Sequence, residues 1–343
     1  MKLHIYKEPS ICKLLTLIIL QLVLSSCSML YKTTGDVLMG FAEDEAIPYA
    51  LASSDVDLGC AISGAFTPFV LSFSRVTTPP NELATMMYLF AGNCSEIKAR
   101  EEELRYLRAM YNKNGLEAQD ARIAQKRLLN QAAKRQLAGY ESLTKAITEP
   151  GGQCPELPSP NEEFYWLVGL LNGLQATLND LASESNANVP LDIASKVGRG
   201  ATCLDNDKWW GVPKAIQAAI WATIPNNKPT NVDPLKELEL AVQIGFEKGI
   251  NITPVIAAQV YMGLGDVERV KTIIRHHKET KKGLLNKPEF RLLNEFSDLQ
   301  LQAISDRLWT EATGKRTPLS GLGTFWDDRN DSIKTINIDD ILQ

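Results

Sequence analysis

Ala258-x-x-Tyr261-x-x-x-Gly265-Asp266, with Val270 and Ile274 beyond it, is the stretch on which the reading of this chain turns. Ahead of it, Thr253-Pro254 places a side-chain acceptor before a proline, whose missing amide costs a first helical turn nothing. Apolar residues then recur at helical spacing through 254–264, Gly265 supplies a turn, and a second helix starts at once over 266–281. The pattern predicts a helical hairpin.

The same punctuation spreads outward. Ser159-Pro160 with Glu162 makes a capping box, and Asp233-Pro234 repeats the acceptor-proline start. These predict helices over 161–182 and 234–248, with further ones at 190–202, 213–223 and 288–313. Residues 36–76 read as two helices broken near 53–57, with Thr67-Pro68 as a further helix start. Asn81 is expected to cap a helix through Ala91, and Ser95 another through Tyr111. A longer run covers 116–147, where Leu128, Leu129, Ala132, Ala133, Leu137 and Tyr140 form one apolar face. Pro150, Gly151, Gly152, Pro155, Pro158 and Pro160 make 148–160 the clearest internal loop. No succession of alternating strands appears. The expected fold is all-α, with antiparallel helical hairpins stacked as one domain over 36–313. Residues 314–343, broken by Pro318, Gly321 and Gly323, form an irregular tail that drapes over the surface, is disordered, or docks on a partner.

The N-terminus carries an address. Lys2, Lys7 and Lys13 precede an apolar run of 11 residues from Leu14 to Leu24, short of the ~20 needed to cross a bilayer. Leu24-Ser25-Ser26-Cys27 resembles the bacterial lipobox, which implies cleavage before Cys27 and acylation of that cysteine. Residues 1–26 are then a lipoprotein signal peptide and 27–35 a lipidated tether, with no second membrane span expected after them. In a Gram-negative host, Ser28 lacks the aspartate of the inner-membrane retention rule, so the implied place is the outer membrane, facing the periplasm.

Removing the leader takes three lysines and one glutamate from 36 basic and 41 acidic residues, leaving a net charge of −7. That argues against a nucleic-acid partner. Beyond Cys12 and Cys27, four cysteines remain: Cys60, Cys94, Cys154 and Cys203. They allow three connectivities. An exported chain favours oxidation, and pairing Cys60 with Cys94 and Cys154 with Cys203 follows if consecutive helices are spatial neighbours. No Cys-x-x-Cys occurs, and the mature histidines are the adjacent His276 and His277, read as one exposed and one half-buried, so no metal or other cofactor is expected.

Nor does a catalytic motif stand out: Gly-x-Ser-x-Gly, His-Glu-x-x-His and the phosphate loop are all missing, and the chain reads as a binding protein rather than an enzyme. The run Lys98 to Arg108 reads as a solvated helix face. Candidate binding residues are the central aromatics Tyr165, Trp166, Trp209, Trp210 and Trp221, against the alternative that they are core. Trp209 and Trp210 rank first because they fall in a loop, where burial is less obligatory.

The hairpin at 258–274 looks like the middle of a tetratricopeptide repeat, and Gly139-Tyr140, Ala146-Ile147 and Pro150 echo the second half of one. With Tyr165-Trp166, Gly169, Gly173, Trp210-Gly211, Ala215 and the 238–244 helix in the same order, the chain resembles the T component of tripartite ATP-independent periplasmic (TRAP) transporters. The resemblance covers about 36–282 and implies a helical periplasmic lipoprotein of the tetratricopeptide-like solenoid type. It further implies a trimer around a central pore that docks the transporter's substrate-binding protein and helps deliver an apolar ligand. The four extra cysteines, the charged segment 96–127 and the tail depart from that pattern. A lipoprotein scaffold for envelope assembly and a binder of lipid or small apolar ligands are the alternatives.

Overall fold

The computed structural model describes residues 31–75, 77–224, 228–280 and 287–328; the leader, Cys27, the first part of the tether and the tail beyond 328 lie outside them. Among the described residues all regular structure is helical. Helix α1 (31–41) continues through a π-helical stretch, Ala42–Ala46, into α2 (Ile47–Leu51). There follow α3 (Val56–Ser72), α4 (Asn81–Tyr111), α5 (Gly115–Ala146), α6 (Pro160–Ala182) and α7 (Ile193–Gly200). The series ends with α8 (Val212–Thr223), α9 (Pro234–Lys248), α10 (Ile252–Leu264), α11 (Val267–Thr280) and α12 (Arg291–Thr313).

The hairpin α10–α11 forms as its spacing predicts. Gly265 takes φ +75°, a left-handed conformation suited to glycine, and the Asp266 amide donates to the Tyr261 carbonyl at 2.9 Å. Ala258, Tyr261, Val270 and Ile274 are all buried, so the two helices meet along the expected residues. At the start of α6, Ser159 and Glu162 cap each other reciprocally. Asp233 accepts the amides of Leu235 and Lys236 at the start of α9.

Other boundaries differ from expectation. Pro68 lies inside α3 rather than at a helix start, without an amide to donate to the Gly64 carbonyl. Residues 81–111 are one helix, because the Ser95 hydroxyl turns back to the Ala91 carbonyl and receives Arg135 rather than capping a new start. Its first residue is preceded by Pro80 with no side-chain cap. Thr253 is buried within the first turn of α10, and Asn251 holds the cap position.

Consecutive helices pack against one another, and α12 returns to α4. Phe90 and Phe296 meet with ring centroids 5.3 Å apart, and Arg307 pairs with Glu103 at 3.3 Å. In an open solenoid each repeat touches only its neighbours. Here the array closes on itself around a central lumen. Small residues permit the tight walls: a Cβ on Gly169 would collide with Leu143, and one on Gly173 would lie 2.8 Å from Tyr140.

Both disulfides join the pairs anticipated: Cys60–Cys94 staples α3 to α4, and Cys154–Cys203 ties the 148–160 loop to the turn after α7. The first part of the tail drapes over α11 and α12. Phe325 is buried there, and Trp309 donates its indole N–H to the Thr324 carbonyl at 3.0 Å. Lys271, itself buried, pairs with Asp327 at 2.6 Å, and Arg275 with Asp328 at 2.6 Å.

Candidate functional site

The lumen of the closed array is lined by every second helix. Leu89, Phe90 and Asn93 come from α4, Leu167, Val168 and Leu171 from α6, and Ala219 from α8. Ile256 and Val260 follow from α10, and Leu293, Phe296 and Ser297 from α12. The space they line is about 120 Å³. Along α4, α6, α10 and α12 alike, later residues line an adjoining vestibule of about 390 Å³, so these four inner helices run in parallel. Gln175, Leu178 and Gln259 border both spaces.

Polarity changes sharply along this axis. Where lumen meets vestibule, the buried Glu96 carboxylate accepts from Gln136 at 2.6 Å, Asn179 at 2.5 Å and Gln300 at 3.3 Å. Three carboxamides from three helices thus converge on one buried carboxyl group, the arrangement that burial of such a group needs. Farther out, Glu103 takes Arg100 at 3.6 Å and Arg307 at 3.3 Å. On the lumen side Asn93 is only 8% exposed, and its Oδ1 has no hydrogen-bond partner. An orphaned buried acceptor costs about 1–3 kcal/mol, a penalty that a donor-bearing ligand would relieve.

The aromatic candidates occupy other places than their loop position suggested. Trp209 and Trp210 are 5% and 3% exposed, so they are not an open contact surface. They pack among Phe164 and Phe290, and Trp209 donates its indole N–H to Glu163 at 2.6 Å. The Lys208 ammonium on that same carboxylate, with the indole, holds Glu163 below the usual carboxylate range. The loop is buried because α9 closes over it: at Gly211, φ +80°, a Cβ would meet the Ala241 carbonyl at 2.5 Å. Trp210 nevertheless borders the lumen. Trp166 is wholly buried and donates to the Gly200 carbonyl, while burial pushes the Tyr165 phenol up. Trp221 is half-buried beneath Lys214.

His277 is fully buried beside Asp298 at 3.1 Å, rather than half-buried, and His276 is exposed. The 98–108 run is not wholly solvated, since Glu103 faces the vestibule. Sequence reasoning passed over Asn93, Glu96, Arg100 and Glu103, whose spacing of three, four and three is itself a helix face. Among the described residues no group of three or more His, Cys, Asp or Glu side chains could hold a metal ion. Against expectation, Val56–Arg75 is long and apolar enough to cross a membrane. No family model, curated protein or solved structure matches the chain.

Proposed function

We propose that the protein is a binding module that holds the apolar end of an amphipathic molecule in its lumen and the polar end in the vestibule at Arg100, Glu103 and Arg307. It does so as an envelope lipoprotein anchored through Cys27, facing the periplasm. Following the resemblance, it works beside a TRAP transporter, docks the substrate-binding protein and passes ligand to or from it, with self-association as a trimer part of the same reading. The observation that carries the ligand assignment is Asn93, an unsatisfied acceptor facing a largely apolar cavity. Ligand sites are mostly apolar with a few polar groups that fix orientation, and lumen plus vestibule has that composition.

Titration with an environment-sensitive fatty-acid probe tests this reading. Ser297→Phe fills the lumen and should weaken the probe by at least about tenfold, or 1.4 kcal/mol, while the melting midpoint moves little. Equal affinity in both proteins removes the lumen from function. Mild crosslinking in the native host tests the transporter association: recovery of a periplasmic substrate-binding protein supports it, and recovery of envelope-assembly proteins in its place refutes it.

A further inference from the structure

The N-terminal hairpin, α1–α2 against α3, arranges its side chains inside out. Gly59, Ser63 and Thr67, spaced four apart, face the protein: the two hydroxyl residues are buried, and a Cβ on Gly59 would lie 3.3 Å from Leu292. The large apolar residues of α3 point elsewhere, with Leu58, Phe66 and Phe69 exposed by 48%, 51% and 49%. Across from them Phe41 and Tyr49 are exposed as well. Between the two arms lies an apolar groove of about 560 Å³, floored by Met86, Met87 and Phe90 of α4. Small residues inward and bulky ones outward is how a helix is built when its outer solvent is hydrocarbon.

Two contacts decide how such a helix meets a bilayer. Cys60–Cys94 bolts α3 to α4, and Val70 packs into a small core with Leu83 and Met87. One side of α3 is therefore committed to the protein, so the helix cannot cross a bilayer alone and can only lie in its surface. Its place in the chain supplies the lipid. The described part of α1 starts only four residues after Cys27, a separation that even fully extended chain would span in at most about 14 Å. Gly35 abuts Phe73 and Thr77, so the end of the hairpin nearest Cys27 also carries the exposed Lys32 and Arg75, suited to headgroup phosphates.

From this geometry we infer that the α1–α3 hairpin docks on the lipid leaflet, seating Phe41, Leu58, Phe66 and Phe69 among acyl chains with Lys32 and Arg75 at the headgroups. The docking does not depend on the lumen reading, but it rests on the anchoring through Cys27 proposed above. It would hold the closed array against the membrane in one orientation, where a lipid tether alone would let it swivel.

Spin labels test it in the full membrane-anchored chain, reconstituted in vesicles of phosphatidylethanolamine and phosphatidylglycerol. Labels go at Leu58→Cys or Phe69→Cys, with Leu191→Cys, on the exposed body of the protein, as reference; retention of both disulfides reports folding. Labels at 58 and 69 should show a severalfold gain in collision with oxygen and a severalfold loss with a water-soluble nickel chelate, relative to 191. Accessibility to nickel equal to that at 191 overturns the inference. Shielding from both reagents also overturns it, and label-to-label coupling would then assign the face to a second copy and its absence to another segment of the same chain.

Discussion

Helices α3 and α4 lie side by side, joined by Cys60–Cys94, yet they treat apolar residues in opposite ways. Helix α4 buries Leu83, Met86, Leu89 and Phe90 and keeps its charges for the vestibule and the surface, as the wall of a closed array must. Helix α3 buries Ser63 and Thr67 and shows Leu58, Phe66 and Phe69 outward. The lesson is that hydropathy alone does not say where a helix faces. The residues that touch the body of the protein are chosen for fit, and the outer face is chosen for its solvent.

Mutation can break that contrast. The largest effect is expected from Trp166→Ala in the array, which opens a cavity and removes the indole donor to the Gly200 carbonyl; a loss of about 3–5 kcal/mol in chemical denaturation is predicted. Glu96→Ala leaves three carboxamides without their shared acceptor and should cost about 2–3 kcal/mol in the same measurement. Phe66→Ser, on the outward face of α3, should change stability by no more than about 0.5 kcal/mol, because the side chain is half in solvent already. A loss as large as that of Trp166→Ala would place Phe66 in a core and erase the difference between the two helices.

The smallest effect concerns pH. Burial first, and then neighbouring carboxylates, raise the pKa of Glu43 and of Glu82, which lie where the hairpin meets α4. A carboxyl whose folded pKa is raised favours the folded state most below its unfolded value near 4.5, and that contribution fades as pH rises through the folded value. Hydrogen exchange at residues 40–51 should therefore slow, after correction for intrinsic rates, as pH falls from 7 towards 4.5. Faster corrected exchange would contradict the assignment.

Much of the fold was legible because caps, prolines and glycines act locally. Ser159 with Glu162, Asp233 and Gly265 each mark a boundary that the structure keeps. The disulfide pairing was legible too, since consecutive helices pack as neighbours. What local signals could not give was closure of α12 on α4, a contact across some 200 residues carried by Gln300 and Glu96. Without closure no lumen exists to be read, and Asn93 looks like any polar residue in a long helix. Trp209 and Trp210 misled for a related reason: their loop is covered by α9, which lies later in the sequence.

The most direct measurement is native mass spectrometry of the protein extracted gently from its own membranes, alongside Ser297→Phe. The expected result is one amphipathic molecule retained per chain in the natural protein and none in the variant. Recovery of empty protein in both, or of the same molecule in both, would contradict a lumen that binds ligand.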